Sequence, residues 1–170
     1  MCALFSASTL AAVVEGSDAD FAYYQLDRAA QKNGINLANS IYIHTEKNGT
    51  LSWQTVHELG FSDWVPGRRE LTKLPSWKES HWIKAKISIA DIDELNWILH
   101  NGNGKPKKSE LFILIDGELQ SHFSSNLDNK LSERLYRHRY IAYPIEMKPN
   151  SEMEILVRIE GNNTIAMPFV

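Results

Sequence analysis

The chain has 170 residues, 43% of them hydrophobic and 23% charged, with five tryptophans. That is enough for one domain with a sizeable core, too little for two comfortable ones, and well outside the disordered range. A net charge of −3 with short, scattered basic clusters provides no long-range pull on nucleic acid or anionic lipid, and the single Cys2 leaves the fold to packing alone.

Residues 1–16 open with MCALFSASTLAAVV, a run of small and medium apolar side chains ahead of the polar EGSDAD. It resembles the apolar stretch of an export signal, although no lysine or arginine precedes it, and a short N-terminal helix packed on the domain is the competing reading. No run reaches the roughly 18 apolar residues of a membrane span. Residues 17–34 follow as a predicted helix, SDADFAYYQLDRAAQKN, with acids near its start, Arg28 and Lys32 near its end and Gly34 as a stop. Its apolar face is weak, so the expectation is a helix lying outside something larger.

From residue 35 to 170 the texture is short alternating or apolar runs separated by turn chemistry. The predicted strands are SIYIHT (40–45), SHWIKAKISI (80–89), LNWILHN (95–101), ELFILIDG (110–117), RYIAYPIEM (139–147) and MEILVRIE (153–160). KNGT, IDGE and KPNSE read as turns, Asp116-Gly117 being a two-residue hairpin signal. LSWQTVHEL (51–59) reads as a short helical turn, because Trp53, Val56 and Leu59 are spaced by three. One long link, residues 121–139, is expected to cross between sheets. The fold class is therefore mainly β, an antiparallel β-sandwich of jelly-roll type.

Chemistry-bearing signatures are few. The six histidines show no close zinc-ligand spacing, there is no nucleophile elbow, P-loop or dinucleotide fingerprint, and ADIDELN (90–96) lacks the glycine and distal glutamate of a calcium loop. GKPKKSE (104–110) reads as a solvated loop. No catalytic residue, metal or cofactor is assigned. What remains is rings and cations on strands: Trp82 and Lys84, Trp97, Arg139 with Tyr140, and Arg158 inside ILVRIE. In PSWKESHWIKAKIS, Trp82 shares the alternating face of Lys84 and Lys86, so it either packs beneath their stems or forms a platform on an open sheet face. Arg158 between apolar neighbours implies an ion pair or a ligand contact.

The order of these features resembles a known family. An Asn48–Leu51 turn of the form G-x-L, Trp82-Ile83-Lys84, Trp97 to Leu99, the hairpin from Phe112 to Gly117, and Pro149 followed by Arg158 resemble the second class of extracellular sensor domain of bacterial seven-transmembrane receptors with diverse intracellular signalling modules (7TMR-DISM), across residues 35–168. That resemblance implies a jelly roll related to carbohydrate-binding modules, outside the cytoplasmic membrane in the periplasm. It also implies a membrane-embedded receptor region as partner and tether, and a small-molecule ligand, a carbohydrate among the candidates. The expected ligand-binding residues are Trp82, Lys84, Arg139 and Arg158. Because the sequence ends at IAMPFV without membrane helices, it reads as an excised domain, a fragment or a solitary relative. Two other functions stand beside the sensor: a free-standing carbohydrate-binding or adhesion module, and a hydrolase on the same scaffold with two carboxylates facing each other across a cleft.

Overall fold

The structure, a computed structural model, describes residues 13–14, 21–28, 30, 37, 40–67, 79–93, 95–100, 107–126 and 142–161. Within them lie ten strands and one α-helix, and the sheets are almost entirely antiparallel. The mainly β sandwich expected from the sequence is what the chain adopts.

β1 (Val13–Val14), β2 (Tyr23–Leu26), β3 (Ile41–Glu46) and β4 (Val65–Pro66) precede β5 (Ser80–Ile89). Then come β6 (Asn96–His100), β7 (Lys108–Ile115), β8 (Glu118–Asn126), β9 (Ala142–Glu146) and β10 (Ser151–Glu160). One edge of β5 pairs with β10 over its whole length, from Ser80↔Glu160 to Ile89↔Ser151. Its other edge is shared: β3 runs antiparallel along the first half, Ile41↔Ala85 to Glu46↔Ser80, and β2 runs parallel along the second, Tyr24↔Ile87 to Leu26↔Ile89. Beyond β10 the sheet continues through β7 to β8, while β6 and β9 form a separate two-stranded layer.

Alternation along β5 distributes its side chains to two cores. Ile83, Ala85, Ile87 and Ile89 join Leu111, Ile113, Ile155 and Val157 of the large sheet and Leu99, Tyr143 and Ile145 of the small one. This is the inside of the sandwich. On the opposite face Trp82, Leu156, Phe112 and Leu114 pack with Phe21, Tyr42, Val56 and Trp64 in a second, aromatic-rich cluster. Its cover is the helix α1 (Trp53–Glu58), a 3-10 turn at Phe61–Asp63, and the segment leading into β2. Ser52 caps α1, its hydroxyl accepting from the Thr55 amide at 3.3 Å. Tyr42 anchors the other arm of the cover: its hydroxyl accepts from the Ala22 amide at 2.7 Å and its ring meets Phe21 edge-on at 5.0 Å.

Two sequence expectations are corrected. The helix predicted over 17–33 contains the strand β2 instead, with its side chains alternately exposed and buried. A pair of aromatics, Tyr23-Tyr24, suits a pleated surface, and the half-edge of β5 left open by β3 supplies a ladder that outweighs weak helical amphipathicity. Residues 17–20, 29 and 31–36 lie outside those described. The first part of the expected 121–139 crossover is β8, hairpinned onto β7 through Asp116 and Gly117, whose φ values of 51° and 83° give the left-handed turn that this dipeptide favours. The rest of that segment lies outside the described residues, as does most of 1–16; Val13–Val14 pairs with Tyr23 and Tyr24. The expected helical turn at 51–59 and the six predicted strands are present, with β6 at Asn96–His100 and β9 at Ala142–Glu146.

Trp82 is 1% exposed and its indole N–H donates to Glu46 at 2.9 Å. Replacing it with alanine empties a large site and leaves a buried carboxylate short of a donor, so chemical denaturation should register a loss of about 3 to 5 kcal/mol. A loss below about 1 kcal/mol would mean that the site collapses without cost and that the second core is not cooperative with the first.

Candidate ligand-binding face

The register of β5 against β10 brings the sequence-predicted residues onto one face of the large sheet. Trp82 lies opposite Arg158, Lys84 opposite Leu156, Lys86 opposite Glu154 and Ser88 opposite Glu152. Three of the four expected ligand residues, Trp82, Lys84 and Arg158, are thus neighbours; Arg139 lies outside the described residues. Trp97, flanked by the apolar Leu95, Ile98 and Leu99, is half-buried and packs against the inner cluster.

Beneath the cover most polar groups pair with one another, the buried Trp64 indole N–H and Arg158 Nε being without a hydrogen-bond partner among the described residues. Arg158 lies over the Trp82 ring at 5.7 Å and donates to the Gly49 carbonyl at 2.6 Å, with Glu110 at 3.4 Å and Glu160 at 3.3 Å. This is the ion-paired alternative for an arginine between apolar neighbours. Trp82 takes the packed alternative rather than the open platform, because α1 and the 3-10 turn cover what the alternation alone leaves bare.

Lys84 is the most constrained cation. Its side chain is 1% exposed, its ammonium donates to the His57 carbonyl at 3.1 Å and stands 3.6 Å from Glu154, and it lies over the rings of Phe21 and Trp64 at 4.8 and 4.7 Å. Glu154 is held from the other side by the His57 imidazole at 2.9 Å. Burial pushes the Lys84 ammonium below the ordinary lysine range; Glu154 opposes that shift and Lys86 adds to it. The sequence pattern assigns His57 no role of its own among the six histidines. Its place at the end of α1, one residue past the buried Val56, is the only sequence signal that could have flagged it.

Beyond the C-terminal end of α1 the cover stops and the face opens into a cleft of about 520 Å³. His57 and Glu154 form its wall nearest the helix, Lys86, Ser88 and Glu152 its floor, and Phe21 with Tyr23 one side. The β7–β8 turn, Asp116-Gly117, closes the far end. Tyr23 is 36% exposed there. The Asp116 carboxyl is held below the usual carboxylate range, first by the Glu152 amide and then by Lys148. Among the described residues no group of three His, Cys, Asp or Glu converges as a metal site.

Because the native state releases the Lys84 proton at lower pH than the unfolded chain does, it binds fewer protons between those two values, and stability rises with pH there, up to the ordinary value near 10.5. A Lys84→Met variant lacks that gain. Urea midpoints measured at successive alkaline pH values should show wild type improving relative to the variant, a comparison in which the raised Tyr24 and Tyr143 hydroxyls cancel. A flat difference would mean a hydrated native ammonium.

The family model described as 7TMR-DISM extracellular 2 matches residues 38–170, a span that holds β3 to β10 and α1. No curated protein matches the chain. Among the described residues no helix is long and apolar enough to cross a membrane. With the match covering β3 to β10, and so most of the sandwich, the chain belongs to the 7TMR-DISM extracellular 2 family, extracellular sensor domains of membrane receptors.

Proposed function

We propose that this domain senses a small polyhydroxylated ligand, a sugar being the best fit, in the cleft beside α1. In this reading it acts without catalysis, in the periplasm, tethered to a membrane-embedded receptor region. The observation that carries the reading is the pairing of an exposed ring with convergent polar groups: Tyr23 offers an apolar face, while Ser88, Lys86, His57 and Glu152 offer donors and acceptors for hydroxyls. The platform role expected of Trp82 passes to Tyr23. Trp82, Lys84 and Arg158 form the layer behind it, and Lys84 fixes the two cleft residues His57 and Glu154.

The carboxylates favour recognition over reaction. A glycosidase acid needs a carboxyl whose pKa is raised, whereas Asp116 is shifted downward by its hydrogen bonds and Glu154 is engaged by both His57 and Lys84. A ligand shifts a receptor only by binding its two states unequally. His57 connects the cleft to α1, so a ligand that hydrogen-bonds His57 binds the docked and displaced helix differently.

Thermal melting against a panel of mono- and disaccharides tests this. A bound sugar at a hundredfold excess over its Kd adds about 2.7 kcal/mol, which raises Tm by about 5 to 10 °C for a chain of this size. Tyr23→Ala should abolish that shift while leaving the ligand-free melt close to wild type. A sugar that stabilises wild type and Tyr23→Ala equally would move the site elsewhere, and a panel with no stabilising member would remove the sugar reading.

A further inference from the structure

A second cleft, of about 680 Å³, lies on the other face of the large sheet, at the mouth of the sandwich where β7 and β8 face the end of β9. Its floor is apolar: Ile113 and Ile115 of β7 face Met147 and Leu95, the last two being joined by a 2.7 Å bond from the Met147 amide to the Leu95 carbonyl. Its rim is polar and acidic. Glu118 stands on the β8 side and Glu146 on the β9 side, both exposed, and neither meets a cation among the described residues. The other charges at the rim, Asp116 and Lys148, neutralise each other at 3.0 Å. The strand pairing is broken at this place: Ile113 lies opposite Ser121 and Leu114 opposite Leu119, which leaves Gln120 as an extra residue in β8. Such a bulge re-aims side chains at sheet edges and beside binding sites, and both Gln120 and Ser121 line the cleft.

We infer that this cleft is a second binding site, separate from the one beside Tyr23, and that it takes a small organic ammonium ion with an apolar body. The apolar body fits between Ile113 and Ile115 on one side and Leu95 and Met147 on the other. The ammonium meets Glu118 and Glu146, with the Gln120 amide oxygen and the Ser121 hydroxyl as further acceptors. A carboxylate ligand would be repelled by the two glutamates, and among the described residues no aromatic side chain lines the cleft to stack on a sugar. The charge of the rim therefore selects for cations, and the floor selects for those with an aliphatic portion over bare ammonium or a metal ion.

The experiment compares n-hexylammonium, 1-hexanol and hexanoate, which share one apolar tail and differ in the head, by titration into the isotope-labelled protein followed by amide NMR. Hexylammonium should move the Gln120, Ser121 and Met147 signals saturably, hexanol should bind about tenfold more weakly, and hexanoate should leave those signals in place. In the Glu118→Gln, Glu146→Gln double variant, which changes only exposed side chains, the melting temperature should hold while hexylammonium falls to the affinity of hexanol. Equal affinity of hexylammonium and hexanol for the wild type, perturbations centred on Tyr23 and Lys86, or an unchanged preference in the double variant would each overturn the assignment. The sugar site is read from different amides, so its success or failure leaves this result untouched.

Discussion

The ladder between β5 and β10 is the constraint from which the rest follows. It pairs two strands of the same length end to end, and each is flanked on its outer edge by further strands. A one-residue slip of either strand would exchange the faces of its side chains, sending Ile83 and Ile87, or Ile155 and Val157, out of the sandwich and Lys84 or Glu154 into it. The register is therefore fixed, and with it the row of polar side chains on the second face. Lys84 in that row must be satisfied without water. A six-residue helix has too few hydrogen bonds to persist alone, yet its C-terminal carbonyls are unpaired and carry partial negative charge. One of these, from His57, accepts from Lys84. The buried lysine and the short helix each supply what the other lacks.

What the sequence reveals tracks how local the deciding interaction is. The alternation in SHWIKAKISI and the apolar runs of ELFILIDG and MEILVRIE encode strand and face directly, and Asp116-Gly117 encodes its own turn. The Trp53, Val56, Leu59 spacing encodes α1. By contrast, the burial of Trp82 and Lys84 depends on Phe21 and on residues 53–64, which are distant in the chain, so an alternating pattern with lysines looks like a solvated face. β2 is hidden for the same reason: apart from Tyr23-Tyr24 its neighbours along the chain favour a helix, and the half-empty edge of β5 decides for a strand. β8 is a polar run, ELQSHFSSN, with little strand propensity, and its pairing to β7 is imposed by the tight turn preceding it. The cleft beside Tyr23 has no local signature, because its parts come from β2, α1, β5, β10 and the β7–β8 turn.

The two faces meet at the β7–β8 turn. Asp116 lines both clefts, and it is pinned by its amide to the Glu152 carbonyl at 2.8 Å, by its carboxylate to the Glu152 amide, and by Lys148 from the β9–β10 turn. A rigid element shared by two cavities transmits strain without being able to absorb it. Neighbouring parts differ in that respect. Moving β5 or β10 costs a full ladder of backbone hydrogen bonds, whereas α1 is attached to the sheet through the buried Val56, the Trp53 and Phe112 rings at 6.2 Å, and the Lys84, Glu154 and His57 contacts. In a sensor built on this scaffold, the state that changes with occupancy is the one with the fewest contacts to lose. If the cleft beside α1 holds the ligand proposed for it, the sheet is the reference frame and the helix end bearing His57 is the part with the fewest contacts to lose on occupancy.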